Sequence, residues 1–226
     1  MAKETLKAAV IITAAGTSSR MGSGTKKEFL TLKNQSVLYL SLKPFIDSKL
    51  FSYYVIVLPK EEIEKGRNVL SSIEANSNFL YVPGGSTRQE SVYKGLLELE
   101  KEVPDIVLIH DGARPWITKK VIKDVYNLAS IRGAAIPVVP SVNAMKSVDS
   151  SGIIITNLKR EFTVAAQTPQ GFNYTRILSS HKKAQSDNLI YIDDAEIYGK
   201  YEGEVTSISG DIANKKITYQ SDMEGF

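Results

Sequence analysis

The stretch Ala8–Lys27, AAVIITAAGTSSRMGSGTKK, decides the fold class and narrows the class of ligand. It starts with an apolar run over Ala8–Ile12, which predicts a buried strand near the N-terminus of an α/β sheet. Small and polar residues follow from Gly16, so the backbone N–H groups of this loop can approach a polyanion closely. Arg20 and Lys27 then place positive charge where phosphate charge would develop during a reaction. The stretch therefore predicts a phosphate-binding loop after the first strand.

The loop does not match either of the two common glycine-rich phosphate-binding motifs. It lacks the GxGxxG fingerprint, which argues against a Rossmann-type dehydrogenase, and no GxxxxGK[ST] P-loop is present. The glycine and serines alone would also fit an ordinary polar turn with solvated basic residues. The run Ala14-Ala15-Gly16, the Arg-Met-Gly and the lysine before Phe29-Leu30 together disfavour that simpler interpretation.

The composition excludes several classes of protein. The 226 residues are 42% hydrophobic, which predicts a single domain over residues 1–226 with a substantial core. There is no cysteine and there are only two histidines, so disulfides, thiolate metal sites and a His-rich zinc centre are not expected. The net charge of +3 comes from scattered residues, which does not predict a nucleic-acid partner. Without a signal region or a long apolar run, we expect a cytoplasmic chain with no membrane span.

Apolar runs alternate with helical stripes along the rest of the chain. The predicted strands after the first are Tyr53–Leu58, Phe79–Val82, Ile106–Ile109 and Ala134–Val139. Stripes of apolar residues at helical spacing lie at residues 38–46, 92–99 and 121–129. This alternation predicts an α/β fold with a doubly wound, mostly parallel sheet.

Residues 141–166 break that alternation. Met145–Asp149 and Ile153–Leu158 predict two short strands joined by a turn at Asp149-Ser150-Ser151-Gly152. A hairpin of this kind has little core of its own, so we expect it to pack against its own sheet or against a second subunit. A last short strand is predicted at Val205–Ser209.

Two further loops follow predicted strands and carry candidate site residues. In Gly84–Ser91, GGSTRQES, Ser86 or Thr87 can cap the next helix, whose N-terminus would then face an anion or a base edge. An ordinary glycine turn with a cap is the alternative. In HDGARP, Asp111 ends a central strand, where a carboxylate suits Mg²⁺, although a turn or cap role is also open. Arg114 would hold a phosphate or pair with Asp111.

Three weaker signals lie in the C-terminal half. The loop AAQTPQGF over residues 165–172, with Arg160 before it, fits a binding loop or the exit of a hairpin equally well. Asp193-Asp194 would coordinate a metal or cap the following helix, and capping is favoured. Lys215-Lys216 alone would be a solvated pair.

Five of these elements together resemble the family of cytidylyltransferases that act on 2-C-methyl-D-erythritol 4-phosphate in the non-mevalonate isoprenoid pathway. The matching elements are AAGTSSRMG with Lys27, GGSTRQESV, HDGARP, AAQTPQGF and IDDAE, in the family's order and spacing. The resemblance implies a Rossmann-like nucleotidyltransferase sheet and transfer of CMP from CTP, with Mg²⁺. It also implies a homodimer formed through a protruding β-hairpin arm at about residues 141–166.

The resemblance further implies a role for each site residue. The catalytic residues would be Arg20, Lys27, Arg160 and Lys216, with Arg160 reaching the site of the neighbouring subunit. The nucleotide would be bound by Ala14, Ala15, Gly16, Gly84, Gly85, Arg88 and Ser91. The sugar phosphate would be bound by Asp111, Arg114 and Thr168, and Asp111 would also hold the metal.

The chain departs from the family's pattern at several positions, of which two bear most on the site. Ala144 stands where the family has a threonine, so a hydroxyl at the sugar phosphate is missing. Glu28 replaces a glutamine after Lys27, and we expect it to pair with that lysine. Two alternatives therefore stay open: a ribitol 5-phosphate cytidylyltransferase, which shares the fold and the nucleotide loops, and a non-catalytic CTP-binding homologue.

Overall fold

The structure is a computed structural model that describes residues 6–16, 26–74 and 78–223. In these ranges the strands are β1 (Ala8–Thr13), β2 (Thr31–Leu32), β3 (Gln35–Ser36), β4 (Tyr53–Leu58), β5 (Asn78–Pro83), β6 (Ile106–Asp111), β7 (Ala134–Pro140), β8 (Lys146–Val148), β9 (Ile154–Asn157), β10 (Val164–Ala166), β11 (Gln170–Asn173) and β12 (Thr206–Ser209). The α-helices are α1 (Val37–Ser48), α2 (Ile63–Glu74), α3 (Arg88–Glu98), α4 (Lys119–Arg132), α5 (Tyr174–Ser186) and α6 (Asp194–Tyr201).

The central sheet contains eight strands, and β1 lies near its middle. Its order is β10-β7-β11-β6-β1-β4-β5, and β12 pairs with β7. Strand β1 is parallel to both β4 and β6, and β4 is parallel to β5. Strands β10 and β11 run antiparallel to their partners. The predicted α/β fold with a mostly parallel sheet is confirmed, with these two strands reversed.

Helices cover both faces of the sheet because β1 is apolar on both. Alternate side chains of a strand point to opposite faces, so Val10 and Ile12 pack with α1, α2 and α4. Ala9 and Ile11 pack on the other face with α3, α5 and α6. The predicted helical stripes at residues 38–46, 92–99 and 121–129 lie on α1, α3 and α4. The doubly wound arrangement is therefore confirmed.

The predicted hairpin forms from β8 and β9, which pair antiparallel. All four residues of β9 are exposed. The segment exposes a series of large apolar side chains: Val142, Met145, Val148, Ile153, Ile154, Ile155, Leu158, Phe162 and Val164. They are not buried against the described sheet of their own chain, so the first of the two expected packing surfaces is not observed. Packing against a second subunit stays a prediction. We call residues 141–166 the arm.

The AAQTPQGF segment is less of a loop than its sequence indicates. Ala166 ends β10 and Gln170 starts β11, so only residues 167–169 connect two sheet strands. Among the described residues, none of the helices combines the length and the hydropathy that a membrane span requires.

Candidate active site

A cavity of about 380 Å³ opens at the carboxyl ends of β1, β5 and β6. Because parallel strands end at the same edge of a sheet, the loops that follow them meet there. Its lining is mostly small or charged: Thr13, Ala15, Gly16, Lys27, Glu28, Gly85, Ser86, Thr87, Arg88, Ser91, Asp111, Ala113, Lys216 and Thr218. The lining residues come from four stretches of sequence, at residues 13–28, 85–91, 111–113 and 216–218, which therefore meet at one site.

The loops after β1 and β5 touch each other at Ala15 and Gly84. A Cβ added to Gly84 would lie 2.3 Å from the Ala15 Cβ, so only glycine permits this approach. Ala14 is buried, and its N–H donates to the Val57 carbonyl at 2.8 Å. Ala15 and Gly16 line the cavity, whereas Ala14 and Gly84 lie behind its wall.

The loop after β5 is fixed by side chains of α3. The Gly85 N–H donates to the Ser91 hydroxyl at 3.0 Å, and the Ser86 N–H donates to Glu90 Oε2 at 2.7 Å. Hydrogen bonds from Lys94 and Ser86 lower the pKa of Glu90 to about 2. Thr87 is the N-cap of α3, which resolves the choice between Ser86 and Thr87. The backbone of this wall is therefore held in place before any ligand arrives.

Asp111, the last residue of β6, forms the anionic centre of the site. Its Oδ2 lies 3.1 Å from both Arg114 Nε and Lys216 Nζ, and its Oδ1 lies 3.6 Å from Arg88 Nε. Burial by itself raises the pKa of this carboxyl, but Lys216, Arg88 and Arg114 hold the pKa well below its usual range. The carboxyl is therefore ionised and surrounded by three cations.

Thr168 and His110 support the end of β6 from below. The Asp111 N–H donates to Thr168 Oγ1 at 3.1 Å, and the same oxygen lies 2.9 Å from His110 Nδ1. Burial lowers the pKa of His110 to about 3, so the imidazole is neutral and accepts the Thr168 hydroxyl hydrogen. Thr168 is buried and does not line the cavity. His110 therefore has the positional role that its place at the strand end indicates.

The segment that carries Lys216 is tied to the same network through Asn214. Its side-chain amide donates to the Thr168 carbonyl at 2.8 Å, and its own carbonyl accepts from Arg114 Nη1 at 2.8 Å. Lys27, in a short 3-10 helix, donates from Nζ to the Ile217 carbonyl at 2.8 Å. The prediction from the residues alone, that Lys215-Lys216 is a solvated pair, is thus wrong for Lys216. Arg114 pairs with Asp111, which is one of the two roles that the sequence left open for it.

The other two predicted catalytic residues are Arg20 and Arg160. Arg20 lies outside the residues that the structure describes. Arg160 lies on the exposed arm, where its Nη2 donates to the Val142 carbonyl at 3.1 Å, and it does not line the cavity. The structure thus brings Lys27, Lys216 and Asp111 together in one chain and leaves Arg160 apart from them.

Asp194 is a site residue whose role the sequence did not reveal. Asp193 caps α6, which confirms the favoured interpretation, but Asp194 is fully buried and accepts from Arg88 Nη1 at 2.8 Å. Arg88 and Asp194 are 106 positions apart, so no local pattern predicts their contact. The signal that the sequence offered for Asp194 was its place in the IDDAE motif. Within the described ranges there is no group of three or more side chains of the metal-ligating kinds His, Cys, Asp and Glu.

Comparison with known proteins places the chain in one family. The sequence model of the family described as IspD: 2-C-methyl-D-erythritol 4-phosphate cytidylyltransferase matches residues 8–225. The chain belongs to this family. The 2-C-methyl-D-erythritol 4-phosphate cytidylyltransferase of Clostridium novyi is 38% identical over 218 residues, which cover 96% of the chain and 94% of that relative.

Solved structures agree with this assignment. The 4-diphosphocytidyl-2C-methyl-D-erythritol synthase of Anaerococcus prevotii superposes with a TM-score of 0.86 at 25% identity, over 97% of the chain and 93% of that structure. The IspD of Francisella tularensis gives a TM-score of 0.80 at 27% identity, over 96% of the chain and 97% of that structure. The family identified from five sequence motifs is thereby confirmed.

Proposed function

We propose that the chain transfers CMP from CTP to 2-C-methyl-D-erythritol 4-phosphate, giving 4-diphosphocytidyl-2-C-methyl-D-erythritol and pyrophosphate. The observation that best supports this function is the ionised Asp111 with three cations around it, in the cavity of a member of this family. Lys27 adds a further positive charge to the lining of this cavity, which also includes Glu28. A cavity of this charge suits two phosphorylated substrates that must meet.

The nucleotide would bind between the loops after β1 and β5. Ala15 and Gly16 leave backbone groups accessible to the triphosphate, and Ala14 supports them from behind. Gly85, Arg88 and Ser91 would face the cytosine and ribose, with Gly84 permitting the close approach of the two loops. These residues keep the nucleotide-binding roles that the family resemblance implies.

Asp111 is suited to hold Mg²⁺. Its Oδ2 contacts Arg114 and Lys216 at 3.1 Å, whereas the contact that the described residues make to Oδ1 is the longer one from Arg88, at 3.6 Å. Mg²⁺ in nucleotide enzymes is commonly held by one or two carboxylates together with substrate phosphates and water, so a single ionised carboxylate fits. Bound there, Mg²⁺ would neutralise phosphate charge that develops during the transfer.

The sugar phosphate would bind on the side of Arg114 and Lys216. Arg114 and Thr168 would act mainly through Asp111, because their polar groups already contact it. Lys216 is partly exposed and lines the cavity, so its ammonium group can contact a phosphate. Ala144 lies on the exposed arm and offers no hydroxyl to the substrate.

Arg160 would complete the site from a second copy of the chain. The arm that carries Arg160 exposes a large apolar surface, which is typical of a protein interface. An isolated hairpin is only marginally stable, so a second copy would give the arm a surface to pack against. The proposed homodimer would therefore pair the cavity of one protomer with Arg160 of the other.

The chemistry requires positioning and charge rather than a general base. An oxygen of the sugar phosphate, already anionic, attacks the α-phosphorus of CTP in line. A new P–O bond forms as the bond to the bridging oxygen breaks, and pyrophosphate leaves with the electron pair. Lys27 and Arg20 would stabilise the charge on the pentacoordinate phosphorus, while Arg160 and Lys216 hold the attacking phosphate. The buried, neutral His110 is not required as a base.

The test is to measure pyrophosphate release with CTP and Mg²⁺, offering 2-C-methyl-D-erythritol 4-phosphate and ribitol 5-phosphate in parallel. We expect release with the methylerythritol substrate and at most a trace with the other. Release with ribitol 5-phosphate alone would replace the substrate assignment. Release with neither, although CTP binds in calorimetry, would identify a non-catalytic homologue.

A further inference from the structure

His181 is a buried residue of α5 that does not line the active-site cavity. Its Nε2 lies 3.1 Å from Asp194 Oδ1. Burial raises the pKa of Asp194, but Arg88 and His181 bring the pKa below its usual value, so the carboxylate only accepts hydrogen bonds. The hydrogen of this contact must therefore be on His181 Nε2.

Asp194 in turn holds Arg88, which does line the cavity. Arg88 Nη1 donates to Asp194 Oδ2 at 2.8 Å, and Arg88 Nε lies 3.6 Å from Asp111 Oδ1. Arg88 Nη2 is buried and has no hydrogen-bond partner among the described residues. The guanidinium thus lies between two carboxylates, and its position at the cavity depends on both of them.

An arginine that meets a carboxylate normally uses two of its nitrogens on the two oxygens. Here Arg88 gives Asp194 one hydrogen bond, from Nη1 to Oδ2, while Asp194 Oδ1 accepts from His181 Nε2. Without the His181 donor, the carboxylate would no longer be held from that side. The guanidinium could then rotate into a two-pronged pair, which would change its position in the cavity.

We propose that His181 is a positioning residue for the nucleotide. By donating to Asp194 Oδ1, it holds in place the carboxylate that fixes Arg88 at the cavity, where Arg88 would contact CTP. This inference rests on the proposed function, because it needs Arg88 to contact the nucleotide.

A simple packing role does not account for a histidine at this position. The ring stacks on Tyr93, with the ring centroids 6.2 Å apart and the planes 3° from parallel, which an apolar side chain could also do. His181 Nδ1 is buried and has no hydrogen-bond partner among the described residues, which costs stability relative to an apolar side chain. The hydrogen bond from Nε2 is therefore the feature that sets histidine apart at this site.

The test compares His181→Met with His181→Gln, because the two replacements have similar length and only glutamine carries a donor. The dissociation constant of CTP is measured by calorimetry with Mg²⁺, and KM and kcat by pyrophosphate release. We expect the Met variant to bind CTP about tenfold more weakly, the loss of roughly one hydrogen bond to the nucleotide, with kcat nearly unchanged. The Gln variant should bind CTP like the wild type.

Equal CTP affinity in the Met and Gln variants would overturn the proposal. A structural role alone would lower the melting temperature and the active fraction without changing KM, so the melting temperature is measured for each variant. Ser180→Ala, a change at the neighbouring buried residue, should leave the CTP affinity unaltered. His181→Leu replaces the Met variant if that protein does not fold. Absent pyrophosphate release in the wild type would instead contradict the proposed function, and the comparison of CTP affinities would still stand.

Discussion

The end of β6 and the arm differ in how their key residues are held. Asp111 is buried and ionised, and its three cations all come from its own chain. On the arm, Arg160 is exposed and its guanidinium contacts a backbone carbonyl of the same segment. The first region is complete within one protomer, whereas the second leaves apolar side chains without a surface to pack on. The difference supports the proposal that one chain supplies most of the site and that a second copy supplies Arg160.

The largest expected effect comes from the cavity at the end of β6, which Lys27 lines together with Asp111. Lys27→Ala should lower kcat about a thousandfold, since it removes a fixed charge that would stabilise the transition state. Far-ultraviolet circular dichroism should show an unchanged fold. Lys120→Ala, at an exposed residue of α4, provides the matched loss of a lysine and should keep normal turnover. Near wild-type rates for the Lys27 variant would contradict the role given to this region.

A smaller loss is expected from the arm. Arg160→Ala should lower kcat about a hundredfold, because it removes one cation that positions the attacking phosphate. Its melting temperature should equal that of the wild type, since Arg160 is exposed. Arg132→Ala, at an exposed residue of α4, serves as the control for arginine loss. Unchanged turnover in the Arg160 variant would restrict the site to a single chain.

The arm should also determine whether the protein is a dimer or a monomer. Ile155→Asp places a charge in the exposed apolar surface of the arm, so the molar mass in analytical ultracentrifugation should fall from dimer to monomer. Turnover should fall with it. Ile131→Asp, at another exposed isoleucine, which lies on α4, should leave the mass unchanged. A monomeric wild type, or a dimer that persists in the Ile155 variant, would remove the arm from the interface.

The smallest expected effect is on the free energy of unfolding, and it comes from Glu90, which holds the loop after β5. The pKa of Glu90 in the folded chain is lowered to about 2, so its stabilisation is present above the unfolded value near 4.5 and is lost as the pH falls toward 2. Because the Glu90 side chain is 37% exposed, solvent screens its contacts, and Glu90→Gln should cost no more than about 1 kcal/mol of unfolding free energy at pH 7. The difference from the wild type, measured by urea unfolding, should narrow between pH 5 and pH 3. A difference that grows toward low pH would have the wrong sign.

The sequence was sufficient for the elements with a strong pattern. Ala8–Ile12 is apolar on both faces, and this pattern predicted a buried strand of an α/β sheet, which the structure places between β6 and β4. The direction of β10 and β11 was not predictable in the same way, because it depends on which strands they meet rather than on their own residues. Their short segments carry no signal that separates parallel from antiparallel pairing.

The contacts between distant residues in the site could not be predicted from the sequence alone. Thr168 bonds to Asp111 across 57 positions, and its hydroxyl supports the strand end rather than lining the cavity. Likewise, Lys216 in isolation resembles any solvated lysine, and only the folded chain brings it to Asp111. Such contacts depend on the three-dimensional approach of segments that local patterns cannot relate.

Mixing two inactive variants tests most directly whether two protomers build one site. Lys27→Ala and Arg160→Ala proteins are combined, allowed to exchange subunits, and assayed for pyrophosphate release with CTP and 2-C-methyl-D-erythritol 4-phosphate. In a mixed dimer one cavity retains Lys27 and receives an intact Arg160 from the other protomer, so about a quarter of wild-type activity should return. No recovery, although subunit exchange is verified by mass spectrometry, would contradict the shared site.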